Sequence, residues 1–204
     1  MNTWITPTHL TGQHVALVPL SADHEGDLVE AVRDGELWQL WYTAIPTSEG
    51  MAAEIQRRLD LQIKGSMLPF AVIDTASGKA VGMTTYMNID ATNRRLEIGS
   101  TWYRLSAQRS PLNTEAKRLL LTHAFEQLNC IAVELRTHYF NQQSRRAIER
   151  LGAKLDGVLR NHQINHHPDA SGALRDTCVY SILNTEWPSV KAHLDYQLSR
   201  ARKA

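Results

Sequence analysis

The chain has 204 residues, a hydrophobic fraction of 43% and a charged fraction of 21%, enough for one sizeable core and too balanced for disorder. Its formal net charge of +1 gives no global electrostatic reason to expect nucleic acid, whose phosphates usually demand a basic face. No apolar run approaches the roughly 20 residues that span a bilayer, so no membrane association is expected. Residues 1–7 lack a basic region followed by an apolar stretch, so no secretory signal is expected either. The two cysteines, Cys130 and Cys178, lie in apolar, strand-like runs and form no Cys-x-x-Cys pair. They read as buried free thiols in a reducing compartment, and the chain as a cytoplasmic protein.

The chain reads as one domain over residues 1–204. His14 to Leu20 predicts a first strand, and Ser21-Ala22-Asp23 supplies cap chemistry for a helix with Leu28, Val29 and Val32 on its apolar face. An aromatic stretch follows at Trp38, Trp41 and Tyr42, then a helix over Met51 to Ile63 closed by Gly65. Pro69 to Asp74 and Ala80 to Asn88 predict a hairpin around the turn residues Ala76 to Lys79. Arg95 to Tyr103 predicts the next strand. Leu120, Ala124 and Leu128 recur every four residues and predict a helix over Thr114 to Leu128. Strands are expected over Ile131 to Thr137, Val158 to Ile164 and Asp176 to Leu183. A short helix runs from Ser144 to Leu151 before Gly152, and a polar C-terminal helix or tail from Ser189 to Ala204. The order β-α-α-β-β-β-α-β-α-β-β points to an α/β or α+β layer architecture, antiparallel early with a parallel crossover later.

Two stretches carry a resemblance. One is Leu96 to Trp102, then Gln108-Arg109-Ser110-Pro111-Leu112-Asn113 opening a helix at Thr114. The other is Asn141-Gln142-Gln143-Ser144 followed by Ile148-Glu149-Arg150-Leu151-Gly152-Ala153. Over roughly residues 13–190 the chain resembles the GCN5-related N-acetyltransferases, in the branch of ribosomal-protein-alanine acetyltransferase-like proteins; residues 191–204 read as a tail. The resemblance implies a mixed, mostly antiparallel sheet with a splay between its two middle strands, flanked by helices. It implies acetyl-CoA or another acyl-CoA as co-substrate, with no metal. The acceptor would be a primary amine on a peptide N-terminus or a small molecule. It also implies a diphosphate wrapped by Gln108, Arg109, Ser110, Pro111, Leu112, Asn113 and Thr114. The physical warrant is that a helix N-terminus leaves unpaired N–H groups and carries partial positive charge. Thr101, Trp102 and Tyr103 would line the acyl arm with their backbone, and Asn141 would contact pantetheine. The loop departs from the family pattern: Pro111 and Asn113 stand at its glycine positions. Pro111 removes one donor, and Asn113 or Thr114 would then cap the helix.

Direct acyl transfer to an amine needs an oxyanion donor, a base and a proton for the departing thiolate. Glu97 and Glu134 alternate with apolar neighbours along their strands, and a mid-strand carboxylate needs a reason. Each is either a base, acting directly or through water, or a carboxylate exposed at the splay or paired, with Arg95 and Arg136 as the nearby cations. Glu134 also matches a proposed base of related N-terminal acetyltransferases. Ser144 is the thiolate-side candidate or a plain helix cap, because Ile148 stands where many relatives carry a tyrosine acid. Arg145 and Arg146 either reach phosphates or are solvated. Among nine histidines, His162, His166 and His167 have ligand-like spacing but no completing set. The missing glycines and tyrosine keep open a non-catalytic acyl-CoA-binding or sensing module, and an interaction protein that reuses the fold. The aromatic segment and C-terminal helix leave room for a homodimer.

Overall fold

The computed structural model describes residues 4–200; Met1, Asn2, Thr3 and residues 201–204 lie outside it, and with them the start of the segment read for a signal and the end of the tail. The chain begins with β1 (Leu10–Thr11), β2 (Val15–Pro19), α1 (Glu25–Arg33) and α2 (Met51–Ile63). Strands β3 (Met67–Asp74), β4 (Ala80–Asp90) and β5 (Arg95–Tyr103) lead into α3 (Pro111–Thr122). Then come β6 (Ala132–His138), α4 (Gln142–Arg150), β7 (Lys154–Ile164), β8 (Leu174–Leu183) and α5 (Trp187–Ser199).

The strands form one sheet in the order β1-β2-β3-β4-β5-β6-β8-β7, antiparallel throughout except for β5 and β6. That parallel contact covers only Arg95↔Ala132, Leu96↔Val133 and Glu97↔Glu134. Beyond Glu97 the two strands part. β5 stays paired with β4 as far as Tyr103, and β6 with β8 as far as His138. This is the splay the resemblance implied.

Helices cover both faces. One apolar cluster joins Leu28, Val32, Met51 and Ile55 of α1 and α2 to Ala71, Met83 and Trp102 of the sheet. A larger one joins Leu112, Ala116, Leu120, Trp187 and Leu194 of α3 and α5 to Leu17, Phe70, Tyr86, Ile98, Val133 and Tyr180. Such two-sided burial makes the central strands close to continuously apolar.

Four local expectations change. β1 is too short to leave a periodic signal, and a carboxylate fixes the turn that joins it to β2: Glu115 of α3 accepts the N–H groups of Gln13, His14 and Val15 at 2.9, 2.6 and 3.0 Å. Helix α3 begins at Pro111 instead of Thr114, because Ser110 is its cap and accepts the Leu112 N–H at 3.3 Å. It ends its α-helical run at Thr122 and continues as one wider turn over His123–Gln127. There the Tyr86 hydroxyl donates to the Leu120 carbonyl at 2.6 Å, the kind of intrusion that opens a helical ladder. Helix α4 begins at Gln142, with Asn141 as the cap in place of Ser144. The C-terminal helix is no loose tail: Trp187, Val190 and Leu194 are buried, and Trp187 stacks on Phe125 at 5.3 Å between centroids.

Candidate active site

The last paired residues before the splay are the two sequence-predicted carboxylates, side by side in register. Their surroundings differ. Glu97 is 5% exposed; one oxygen accepts from Asn88 Nδ2 at 2.7 Å, and Arg136 Nε stands 3.4 Å away. Burial raises its pKa above the ordinary 4.5, and these two partners only partly offset it. Glu134 is also desolvated, but hydrogen bonds from Arg136 at 2.7 Å and Arg95 at 2.9 Å outweigh that and hold its pKa below 4.5. One carboxylate is thus held low by two guanidinium groups, and the other is held above the ordinary value by burial that its partners do not fully offset. Environments that push two carboxyl groups apart in this way separate a base from a charge-holder. Asn88, which sequence reasoning passed over, reaches Glu97 because β4 changes register between Met87 and Asp90, with Asn88 at a left-handed φ of 47°. Gly99 is part of the same arrangement. A Cβ there would lie 2.7 Å from Glu97 Oε1 and 2.6 Å from Met87 Sδ.

Two buried cations fix β5 from opposite faces. Arg58 of α2 is 1% exposed; it pairs with Glu54 at 2.7 Å and donates to Thr85 Oγ1 at 2.9 Å and the Ser100 carbonyl at 3.1 Å. Ser100 has a φ of 48° where the β4–β5 register shifts, so Arg58 holds a bulge at the mouth of the splay. Gly82 lets the strands close over that bulge, since a Cβ would come within 2.1 Å of the Trp102 carbonyl. On the other face, Lys117 of α3 donates to Thr101 Oγ1 at 2.9 Å and to Thr84 Oγ1 at 3.3 Å. Burial lowers its pKa to about 7.

The side chains of Thr101, Trp102 and Tyr103 therefore point into the protein. Thr101 faces Lys117, and the Trp102 Nε1 and Tyr103 hydroxyl are buried without a hydrogen-bond partner among the described residues. What β5 presents to the splay is its backbone edge, which pairs with no strand beyond Glu97. An amide-bearing arm fits such an edge, because backbone N–H and C=O groups need partners.

At the mouth, Arg109 takes a left-handed φ of 58° and turns the chain into α3. Pro111 occupies the first helical position, where its missing N–H would be unpaired in any helix and its fixed φ suits the turn. The proline thus costs the helix nothing, while the first turn keeps one fewer free N–H for an anion. The Asn113 amide stays in the first turn, and the Leu112 and Thr114 side chains are buried. Gln108 bridges the two walls: its Nε2 donates to the Tyr103 carbonyl at 3.1 Å and its Oε1 accepts from Gln143 of α4 at 3.1 Å. Asn141 Oδ1 accepts the Ser144 N–H at 3.0 Å, so Asn141 is committed to capping. That leaves the half-buried Ser144 hydroxyl without a hydrogen bond among the described residues, in the first turn of α4.

Arg145, half-exposed, is held against the protein. It donates to the Tyr180 hydroxyl at 3.1 Å and lies over the Tyr139 ring at 5.1 Å. The three histidines go separate ways: His162 Nδ1 meets Thr177 Oγ1 at 3.1 Å, His167 Nε2 meets the Trp38 carbonyl at 3.0 Å, and His166 lines a cavity. Among the described residues no group of three or more histidine, cysteine, aspartate or glutamate side chains is arranged for a metal. The aromatic segment packs over the end of β6, with Trp41 5.1 Å from the His138 ring.

Comparison with known proteins agrees with this geometry. Residues 14–154 match the acetyltransferase (GNAT) domain family. The provisionally named ribosomal N-acetyltransferase YdaF of Bacillus subtilis (strain 168) is 32% identical over 114 residues, covering 56% of this chain and 59% of that protein. The chain thus spans less than two thirds of that relative's length. A crystal structure of a GCN5-related N-acetyltransferase from Brucella melitensis superposes with a TM-score of 0.81 at 33% identity, covering 96% of this chain and 87% of that one. RimJ from Mycobacterium smegmatis, solved in complex with CoA-disulfide, shares the fold with a TM-score of 0.78 at 20% identity, covering 97% and 98% of the two chains. A sheet split after one carboxylate pair, a capped helix at the end of each parting strand and a family match over residues 14–154 lead to one assignment: the chain belongs to the GNAT acetyltransferase family.

Proposed function

We propose that the protein transfers an acyl group, acetyl by default, from an acyl-CoA to a primary amine, with Glu97 as the base. The observation that carries this reading is the divided environment of the carboxylate pair. Glu97 is buried, hydrogen-bonded through one oxygen to Asn88 and raised in pKa, at the point where the sheet opens. Acyl-CoA, when bound, supplies an activated thioester. The β5 edge from Ile98 to Tyr103 would hold its arm, and the first turn of α3 with Gln108, Arg109 and Asn113 its diphosphate. The acceptor ammonium gives up two protons. Glu97 takes the first and passes it to water. The second leaves as the C–N bond forms and the C–S bond breaks, and it ends on the thiolate sulfur, beside the Ser144 hydroxyl. Glu134 keeps its charge and fixes Arg136 and Arg95 across the throat.

Pro111 at the first helical position fits the helix start without strain, while Ile148 still stands where many relatives carry a tyrosine, so the non-catalytic binding module is separated from the enzyme by turnover alone. The name of YdaF, a ribosomal N-acetyltransferase, makes ribosomal proteins acceptors to test, beside peptide N-termini and small amines. Both cysteines are buried and free, and no described helix is long and apolar enough to cross a membrane, which supports a cytoplasmic setting. Calorimetry with acetyl-CoA and thiol release across a panel of amines test the reading. Micromolar binding with amine-dependent thiol release is expected. Binding with no release of thiol from any common acyl-CoA would overturn it.

A further inference from the structure

A cavity of about 300 Å³ lies beside the splay, walled by the segment from Tyr42 to Ile45, the end of β6 and the loop joining β7 to β8. Its roof is tied down: Asn165 Nδ2 donates to the Trp41 carbonyl at 3.0 Å, and His167 Nε2 stands 3.0 Å from the Trp38 carbonyl. It opens on the same sheet face as the carboxylate pair. Glu134, Arg136 and His138 alternate along β6, His138 is the register partner of Thr177, and Arg175 lies two residues further along β8.

Every ionisable side chain that lines this cavity is basic or neutral: Tyr42, His138, His166, His167 and Arg175. Arg175 is the one with a standing charge, and it is partly desolvated, which pulls its pKa down. Its Nε donates to Thr177 Oγ1 at 3.2 Å, and its two terminal nitrogens make no hydrogen bond among the described residues. No carboxylate stands within ion-pair distance of it among those residues. The adjacent Asp176 is turned to the Asn161 N–H at 2.7 Å. The opposing charge that acts on Arg175 is Glu97, across the throat. A partly buried guanidinium with an open two-pronged end favours a planar carboxylate.

We propose that Arg175 receives a carboxylate of the acceptor, so that the preferred substrates are amines that also carry a carboxylate a short chain away. This rests on the acyltransferase reading: the amine faces Glu97 and the carboxylate faces Arg175. The carboxylate could belong to a small amino acid or to an acidic side chain near a peptide N-terminus. His138 sits between the two ends; its Nδ1 accepts the Phe140 N–H at 3.1 Å, which fixes the ring against Trp41.

The test uses the full chain and begins with a probe that cannot be acylated. The betaine 4-(trimethylammonio)butyrate, whose quaternary nitrogen keeps the positive charge of the amine, is titrated into the wild type, Arg175→Gln and Arg175→Lys, read by calorimetry and by tryptophan fluorescence, with its carboxamide as the twin that lacks the carboxylate. The betaine should bind the wild type, at least tenfold more weakly Arg175→Gln, and with intermediate strength Arg175→Lys, which keeps the charge but not the fork. Failure of the betaine to bind the wild type, equal affinity for the wild type and Arg175→Gln, or the carboxamide binding as well as the betaine would overturn the proposal. Thiol release with 4-aminobutyrate and with a peptide beginning Ser-Glu, each against its amide counterpart, identifies the source. The true source loses at least tenfold in kcat/KM in Arg175→Gln while its amide counterpart does not, and equal losses for acids and amides overturn the assignment. Thiol release that continues while the betaine fails to bind removes this proposal alone; loss of all thiol release removes the acyltransferase reading instead.

Discussion

The two strands that frame the splay are held in different ways. β5 is gripped from both faces by buried cations, Arg58 through the Ser100 carbonyl and Lys117 through Thr101, and its side chains from Thr101 to Tyr103 all turn inward. It offers the splay only backbone. β6 presents side chains instead: Glu134, Arg136 and His138 line one face, and their partners are other charged or aromatic groups of the site. On the proposed function, the first wall is a fixed edge for a ligand whose amides are always the same, and the second carries the chemistry that can vary with the acceptor. That reading puts cofactor recognition on backbone geometry and acceptor recognition on side-chain charge.

That division can be broken at several points. The largest effect is expected from Glu97→Gln, which removes the base but keeps an acceptor for the Asn88 amide. It should lower kcat by about 10²–10⁴-fold in a thiol-release assay and leave acetyl-CoA affinity unchanged by calorimetry. Next comes Arg58→Met. It takes from Glu54 its buried partner, leaving it Arg57, and from Thr85 Oγ1 and the Ser100 carbonyl their donor. The expected loss in chemical denaturation is about 1–3 kcal/mol, with weakened acyl-CoA binding as the bulge relaxes.

Lys117→Met sharpens the other side of the grip. The folded pKa of Lys117 is depressed to about 7, so between that value and the 10.5 of a free lysine the unfolded chain binds more protons than the folded one. The stability of the wild type relative to Lys117→Met should therefore rise as pH rises through this window, by at most about 1.4 kcal/mol per pH unit. Below pH 7 the desolvation cost is fully present, and the variant should be the more stable protein. Parallel denaturation curves between pH 6 and pH 10 check the sign. A smaller effect is expected from Gly99→Ala, whose Cβ would displace the Glu97 carboxylate. A misplacement on the order of 1 Å costs up to about 10²-fold in kcat, with little change in melting temperature.

The parts of this arrangement that were readable in the sequence are those with a local signal. α2 over Met51–Ile63 and β5 over Arg95–Tyr103 have the bounds that their apolar spacing and flanking residues predict. Glu97 and Glu134 stood out as carboxylates in apolar strands, but only the fold shows that Glu134 is hydrogen-bonded by two arginines while Glu97 has an amide and a longer contact to one of them. Arg58 reads as one of two adjacent helix cations. Its position three residues after Ile55 and seven after Met51, both buried, was the signal that it faces inward. Ser110 was hidden as a cap because the periodic pattern of α3 begins later, and a cap lies one residue before a proline that itself looked disruptive. Asn88 and Arg175 lie at a register shift and beside a hairpin end. Their roles depend on which strands become neighbours, which no local pattern contains. Arg175 is 78 residues from Glu97 in sequence, and charge alone connects them.

The most direct test of the central claim is the pH dependence of kcat at saturating acceptor in the wild type, Glu97→Gln and Glu134→Gln. The raised Glu97 carboxyl must be ionised to act, so the wild type should lose activity as pH falls through a midpoint above 4.5. The negative charge of Glu134 helps hold that midpoint up. Glu134→Gln should therefore keep the acid limb and move it to lower pH, while Glu97→Gln should have no such limb and little activity. An acid limb that survives in Glu97→Gln and disappears in Glu134→Gln would reverse the assignment and contradict this account.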